Sequence, residues 1–150
     1  MTHLEELENY AYINDIDVLD RMYKSVRKGS CMSIQGQPVI LLNGSQILDT
    51  ADKTCVLAEE IGHVQTGTLL HCEAYLRPDY AHWLKRKNKL FAQKWAINEL
   101  LPPERIQDTL DSGYTDEFEL AEELNVTVDF LRTAINYYGQ HGIQFRTPED

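Results

Sequence analysis

The chain has 150 residues, enough for one domain with a real core, or for one domain with a small appendage. A net charge of −10 argues against general affinity for nucleic acid or anionic membranes. No apolar run is long enough to span a bilayer, no basic-then-apolar leader opens the chain, and Cys31, Cys55 and Cys72 lack C-x-x-C spacing, which points to a reducing cytoplasm.

In chain order, the stretch to about Lys28 reads as helical, with Leu4, Leu7, Ile16, Leu19 and Met22 as inward positions and Gly29 as a stop. Met32 to Leu42 reads as a short antiparallel ribbon of strand formers, with Gly36-Gln37 and Asn43-Gly44 as turns. A helix follows. Thr50 suits its cap, Asp52 its first turn and Gly67 its left-handed end, while Leu57, Ile61 and Val64 form an inward stripe. Within that helix Gly62 costs about 1 kcal/mol relative to Ala, which signals close approach by another backbone or a ligand.

After an irregular stretch from Thr68 to Asp79, a long helix is predicted from about Tyr80 to Leu101, stopped by Pro102-Pro103. Its surroundings are basic: Arg77, Lys85, Arg86, Lys87, Lys89 and Lys94 face only Asp79 and Glu99. Such a run marks a solvated face or a partner-docking patch. From Glu104 to Gly139 short helices are expected, with Thr115 and Thr127 as caps, and the residues from about Gln140 are expected to fray.

The chemistry concentrates in Leu57-Ala58-Glu59-Glu60-Ile61-Gly62-His63. This reads as the zinc-peptidase helix H-E-x-x-H with its first histidine replaced by Glu59. Residues four apart lie one turn above each other on one helix face, so Glu59 and His63 are candidate metal ligands. Glutamate oxygen ligates zinc, and Glu60 between them is the candidate general base, the catalytic residue of this reading.

Three ordered segments resemble the ImmA/IrrE family of metallopeptidases, in particular the E-E-x-G-H variants of phages and integrated elements. They are Ile47 to Gly67; Phe91-Ala92-Gln93-Lys94-Trp95-Ala96 with Leu100-Leu101-Pro102; and Leu120 to Thr127 with Phe130-Leu131. The resemblance covers roughly residues 30 to 140. It implies an α+β fold: a small antiparallel sheet packed on a zincin-like two-helix core, residues 1–102, with a C-terminal helical segment, residues 103–150, packed on it. It also implies zinc as cofactor and, as protein partner, a helix-turn-helix repressor that the family cleaves.

The family's third ligand is a glutamate six residues before Trp95, where this chain carries Lys89. A protonated ammonium donates hydrogen bonds only, and it is repelled by a dication. The resemblance therefore implies a degenerate site, in which Lys89 pairs with Glu59 or Glu60 as a cross-link between the two helices, or else stays exposed. The alternative is an active zinc endopeptidase with a non-standard ligand set. His71 or Cys72 would then have to swing in, since His71 lies eight residues after His63 and misses metzincin spacing. No cysteine has a recognisable activating partner for nucleophilic catalysis.

A second alternative arises from Glu119 to Ile135, whose spacing is that of a helix-turn-helix and suggests a DNA-associated regulator. From Glu104 onward, however, eleven acidic residues face only Arg105, Arg132 and Arg146. A helical pair packed on the core fits that charge better, with Tyr137 and Tyr138 as an aromatic cluster beside it for a basic partner protein.

Overall fold

The computed structural model describes residues 1–68 and 78–148, and the fold is α+β. Helix α1 (His3–Ile13) starts in a capping box. The Thr2 hydroxyl accepts from the Glu5 backbone N–H at 3.2 Å, and the Glu5 carboxylate accepts from the Thr2 backbone N–H at 2.8 Å. Leu7 and Ala11 face the core. Here the helical expectation for the first 28 residues ends. Asp15 takes a left-handed φ of 57° and the chain turns into strand β1 (Asp17–Arg21). Leu19 and Met22, read from sequence as inward, are exposed.

The expected ribbon forms as β2 (Gly29–Ile34) and β3 (Gln37–Asn43), antiparallel. Gln35 and Gly36, at φ 51° and 82°, make the left-handed two-residue turn that matches strand twist. Strand β1 then pairs with β3 in parallel, so the order is β1-β3-β2 and the sheet is mixed, where a purely antiparallel one was expected. Sequence reading missed β1 because its partner lies some twenty residues downstream. Its exposed Asp17 and Asp20 suit an edge strand, where charge discourages further pairing.

Helix α2 (Thr50–Gln65) is capped by Asp49, one residue earlier than expected, which accepts from the Asp52 N–H at 2.8 Å. Buried Asp52 pairs with Lys28 at 2.8 Å and also accepts from the Leu48 N–H at 3.0 Å, which ties the approach to β2 onto the helix start. Helix α3 (Pro78–Leu100) crosses α2 with Ala92 and Ala96 facing inward, and ends at the two prolines as expected.

Helices α4 (Pro103–Asp111), α5 (Glu117–Leu124) and α6 (Val128–Gln140) share one buried cluster with α1 to α3. Thr127 caps α6 as expected, whereas Asp116 rather than Thr115 caps α5. Arg105 donates to the terminal carbonyls of two helices, Leu100 of α3 and Leu124 of α5, the latter at 2.9 Å. The tail after α6 is tied down as well. Gln107 bonds both ways with the Arg146 backbone, at 2.7 and 3.0 Å, and Ile143 and Phe145 pack on the core.

Tyr138, placed in an exposed aromatic cluster by the sequence reading, is 2% exposed, and its hydroxyl donates to the Leu101 carbonyl at 2.7 Å. Tyr138→Phe strands that buried acceptor at the α3–α4 corner. A loss of about 1–2 kcal/mol in denaturant unfolding is expected.

Candidate functional site

The site is built on the inner side of α2, against β2 and α3. Glu59, Glu60 and His63 line a cleft of about 460 Å³ together with Gly29 and Cys31 of β2 and Lys89 of α3. Two glycines permit this assembly. A Cβ on Gly62 would lie 2.5 Å from the Ala92 carbonyl oxygen, so the backbones of α2 and α3 touch there. The close approach expected of Gly62 is to Ala92. A Cβ on Gly29 would lie 2.7 Å from Val56 Cγ1 and 3.2 Å from Glu60 Cγ, so a bare backbone lets the strand lie over Glu60.

The electrostatics follow from depth. Burial raises the pKa of Glu59, opposed by the Lys89 ammonium. Burial also raises Glu60, to about 7. Of the lesser influences, the neighbouring Cys31 thiol and Arg27 pull it down, and Glu59 pushes it further up. The Cys31 thiol is itself driven strongly upward by burial and by Glu60, so it stays protonated and is no nucleophile. Burial lowers the pKa of His63, Lys89 lowers it further, and Thr68 opposes both. His63 Nδ1 lies 3.0 Å from the Thr68 hydroxyl, which orients the ring, and among the described residues Nε2 takes no hydrogen bond.

Because Glu60 binds its proton more tightly folded than unfolded, that proton favours folding. The contribution is complete below about pH 4.5 and is lost as pH rises through about 7. In chelator-treated protein, Glu60→Gln should therefore melt above the parent at about pH 8, with the advantage shrinking toward about pH 5. A constant difference across that range would contradict the burial of Glu60.

Lys89 stands in the same cleft as Glu59 and His63, and its charge reaches both. Its side chain is exposed, and among the described residues it closes no ion pair with either glutamate; α2 and α3 instead meet backbone to backbone at Gly62 and Ala92. As a donor set, Glu59 oxygen, His63 nitrogen and an ammonium do not fit zinc held by three protein ligands. Among the described residues no group of three or more histidines, cysteines and carboxylates gathers there. The alternative ligands His71 and Cys72 lie outside the described residues.

Sequence reasoning missed Asn43, which it placed in a turn. This fully buried side chain organises the segment leading into β2. Its Nδ2 donates to the carbonyls of Ser25 at 3.3 Å and Arg27 at 3.0 Å, and its Oδ1 accepts from the Tyr23 N–H at 3.3 Å and the Ser45 hydroxyl at 2.6 Å. Asn43→Ala would orphan these groups. An expected loss of about 2 kcal/mol should appear in chemical unfolding, with faster proteolysis near Arg27.

The helix-turn-helix-like pair α5–α6 turns on left-handed Asn125. The one arginine on α6, Arg132, donates to Glu117 at 2.9 Å and stands beside Asp129, so it has little to offer a phosphate.

Among known proteins, no curated sequence matches the chain. The family model described as the IrrE N-terminal-like domain matches residues 14–136, from before β1 into α6. That span contains Glu59, Glu60, His63 and Lys89, and it covers most of the molecule. The chain belongs to the IrrE N-terminal-like family and carries an ImmA/IrrE-type metallopeptidase-like domain.

Proposed function

We propose that this chain is an ImmA/IrrE-type protein with an impaired hydrolytic site, which acts by binding a helix-turn-helix repressor of a phage or mobile element in the cytoplasm. The observation that carries this reading is Lys89. It lines the cleft with Glu59 and His63, where its family offers an anionic ligand, and its charge weighs on both. An ammonium there opposes the dication that hydrolysis would need. The cleft itself is retained. Among the described residues strand β2 is a sheet edge whose Gly29 and Cys31 line the same cleft, and an edge strand offers backbone donors and acceptors to an extended polypeptide.

A second reading is an active zinc endopeptidase with a non-standard ligand set. It draws support from Glu59 and His63, which keep two donors one turn apart, with Glu60 beside them in the cleft. A DNA-associated regulator has less support, because Arg132 is already engaged.

The test mixes the purified chain with whichever helix-turn-helix protein is found encoded beside its gene. A complex in size-exclusion chromatography with the repressor left intact is the expected result. Cleavage by the parent protein, lost in Glu60→Gln, would establish the second reading. Absence of any complex would overturn the choice of partner.

A further inference from the structure

Helix α3 has two faces, and the cleft uses only one. Asn88, Ala92 and Ala96 face α2, and Lys89 lies toward the cleft. Turned away from α2 is a second stripe at helical spacing: Trp83, Lys87, Leu90, Phe91 and Lys94. Leu90 is 66% exposed and Phe91 46%. Large apolar side chains aligned this way leave a face that favours a partner.

The stripe is one wall of a groove whose other wall is α6. The groove has a volume of about 470 Å³ and includes Lys87, Leu90, Phe91 and Lys94 on one side and Tyr137 and His141 on the other. Its charge is unlike the rest of the chain. The protein carries 24 acidic residues and a net charge of −10, yet among the described residues no carboxylate lines this groove, and two lysines do. Lys87 is held over the Trp83 ring at 5.0 Å and near the Phe91 ring at 5.9 Å, which keeps its ammonium at the rim.

We propose that the α3–α6 groove binds an acidic amphipathic helix of another protein, independently of the cleft reading above. Leu90 and Phe91 would take that helix's apolar anchors, and Lys87 and Lys94 its flanking carboxylates. Charge selects the occupant. An acidic segment is repelled by the chain's net charge and attracted by these lysines, and the exposed Leu90 and Phe91 between them favour this groove. A second copy docking face to face would set Lys87 and Lys94 against their own counterparts, and an anionic bilayer would meet the chain's net negative charge.

Fluorescence anisotropy with a labelled helical peptide tests this, using leucines on one face and glutamates on its flanks, with a lysine-for-glutamate counterpart as control. The acidic peptide should bind in a salt-sensitive manner and the basic one should not. Lys87→Glu with Lys94→Glu should weaken binding by at least about tenfold, and Leu90→Asp should do the same without lowering the melting temperature, since these side chains are solvent-facing. Equal binding by parent and variants, preference for the basic peptide, or no binding would overturn the proposal. So would concentration-dependent self-association abolished by Leu90→Asp, which gives the groove to a second copy. Binding to phosphatidylserine vesicles through the same residues would give it to a membrane.

Discussion

Gly62→Ala should lose about 3 kcal/mol of stability, although the same exchange in an unobstructed helix gains up to about 1 kcal/mol. The added methyl would sit 2.5 Å from the Ala92 carbonyl oxygen, and the obstacle is backbone, so no rotamer change relieves it. Helices α2 and α3 must move apart, which also loosens the packing of Ala58, Ile61 and Ala96, all buried. The internal control is Gly139→Ala in α6, where a Cβ meets nothing within 4 Å and no loss is expected. Denaturant unfolding of the three proteins side by side checks this. Similar effects from both substitutions would mean that α2 and α3 do not touch at Gly62.

Lys89→Glu should bind zinc at least about a hundredfold more tightly than the parent, or by roughly 3 kcal/mol. Two changes act together. A cation that opposes the metal leaves, and a carboxylate able to ligate it arrives on the helix already facing Glu59 and His63. Lys89→Gln separates them, because it removes the charge without supplying a strong ligand and should gain little affinity. The metal-free Lys89→Glu protein should be less stable than the parent. The ammonium that opposes the burial-driven rise of the Glu59 pKa is gone, and a further carboxylate crowds the cleft. Zinc should restore that stability by mass action. Isothermal titration and thermal melts with and without zinc measure both effects. Equal zinc affinity in all three proteins would show that residue 89 is not at the ligand position.

What was legible in the sequence was what local pattern dictates. The inward stripe of Leu57 and Ile61, the stop at Pro102-Pro103 and the Thr127 cap each express a rule within one or two turns of chain, and each element stands where that rule puts it. Gly62 is the more telling case. An unfavourable residue in a firm helix implied a neighbouring backbone, and Ala92 provides it. Strand β1 was not legible, because its pairing with β3 is non-local and its exposed Leu19, with Met22 just beyond it, mimics an inward helical face. The tail was misjudged for a related reason: Gln107, on α4, holds Arg146 through backbone bonds that leave no side-chain signature.

The candidate site divides the same way. Glu59, Glu60 and His63 follow from helix periodicity, and they share one cleft. The rest of the cleft does not announce itself. Gly29 read as a helix stop, yet it is the bare backbone over Glu60. Cys31 read as an unpaired cysteine, yet it is the thiol beside that carboxylate. Both belong to the edge strand, and only the fold brings β2 over α2.

In the proposed site a lysine ammonium occupies the ground where the family sets its last metal ligand. The most direct measurement is the zinc content of the parent protein purified without added metal, by elemental analysis on a per-chain basis. Well below one zinc per chain is expected. One zinc per chain, retained through dialysis and lost on His63→Ala, would contradict it.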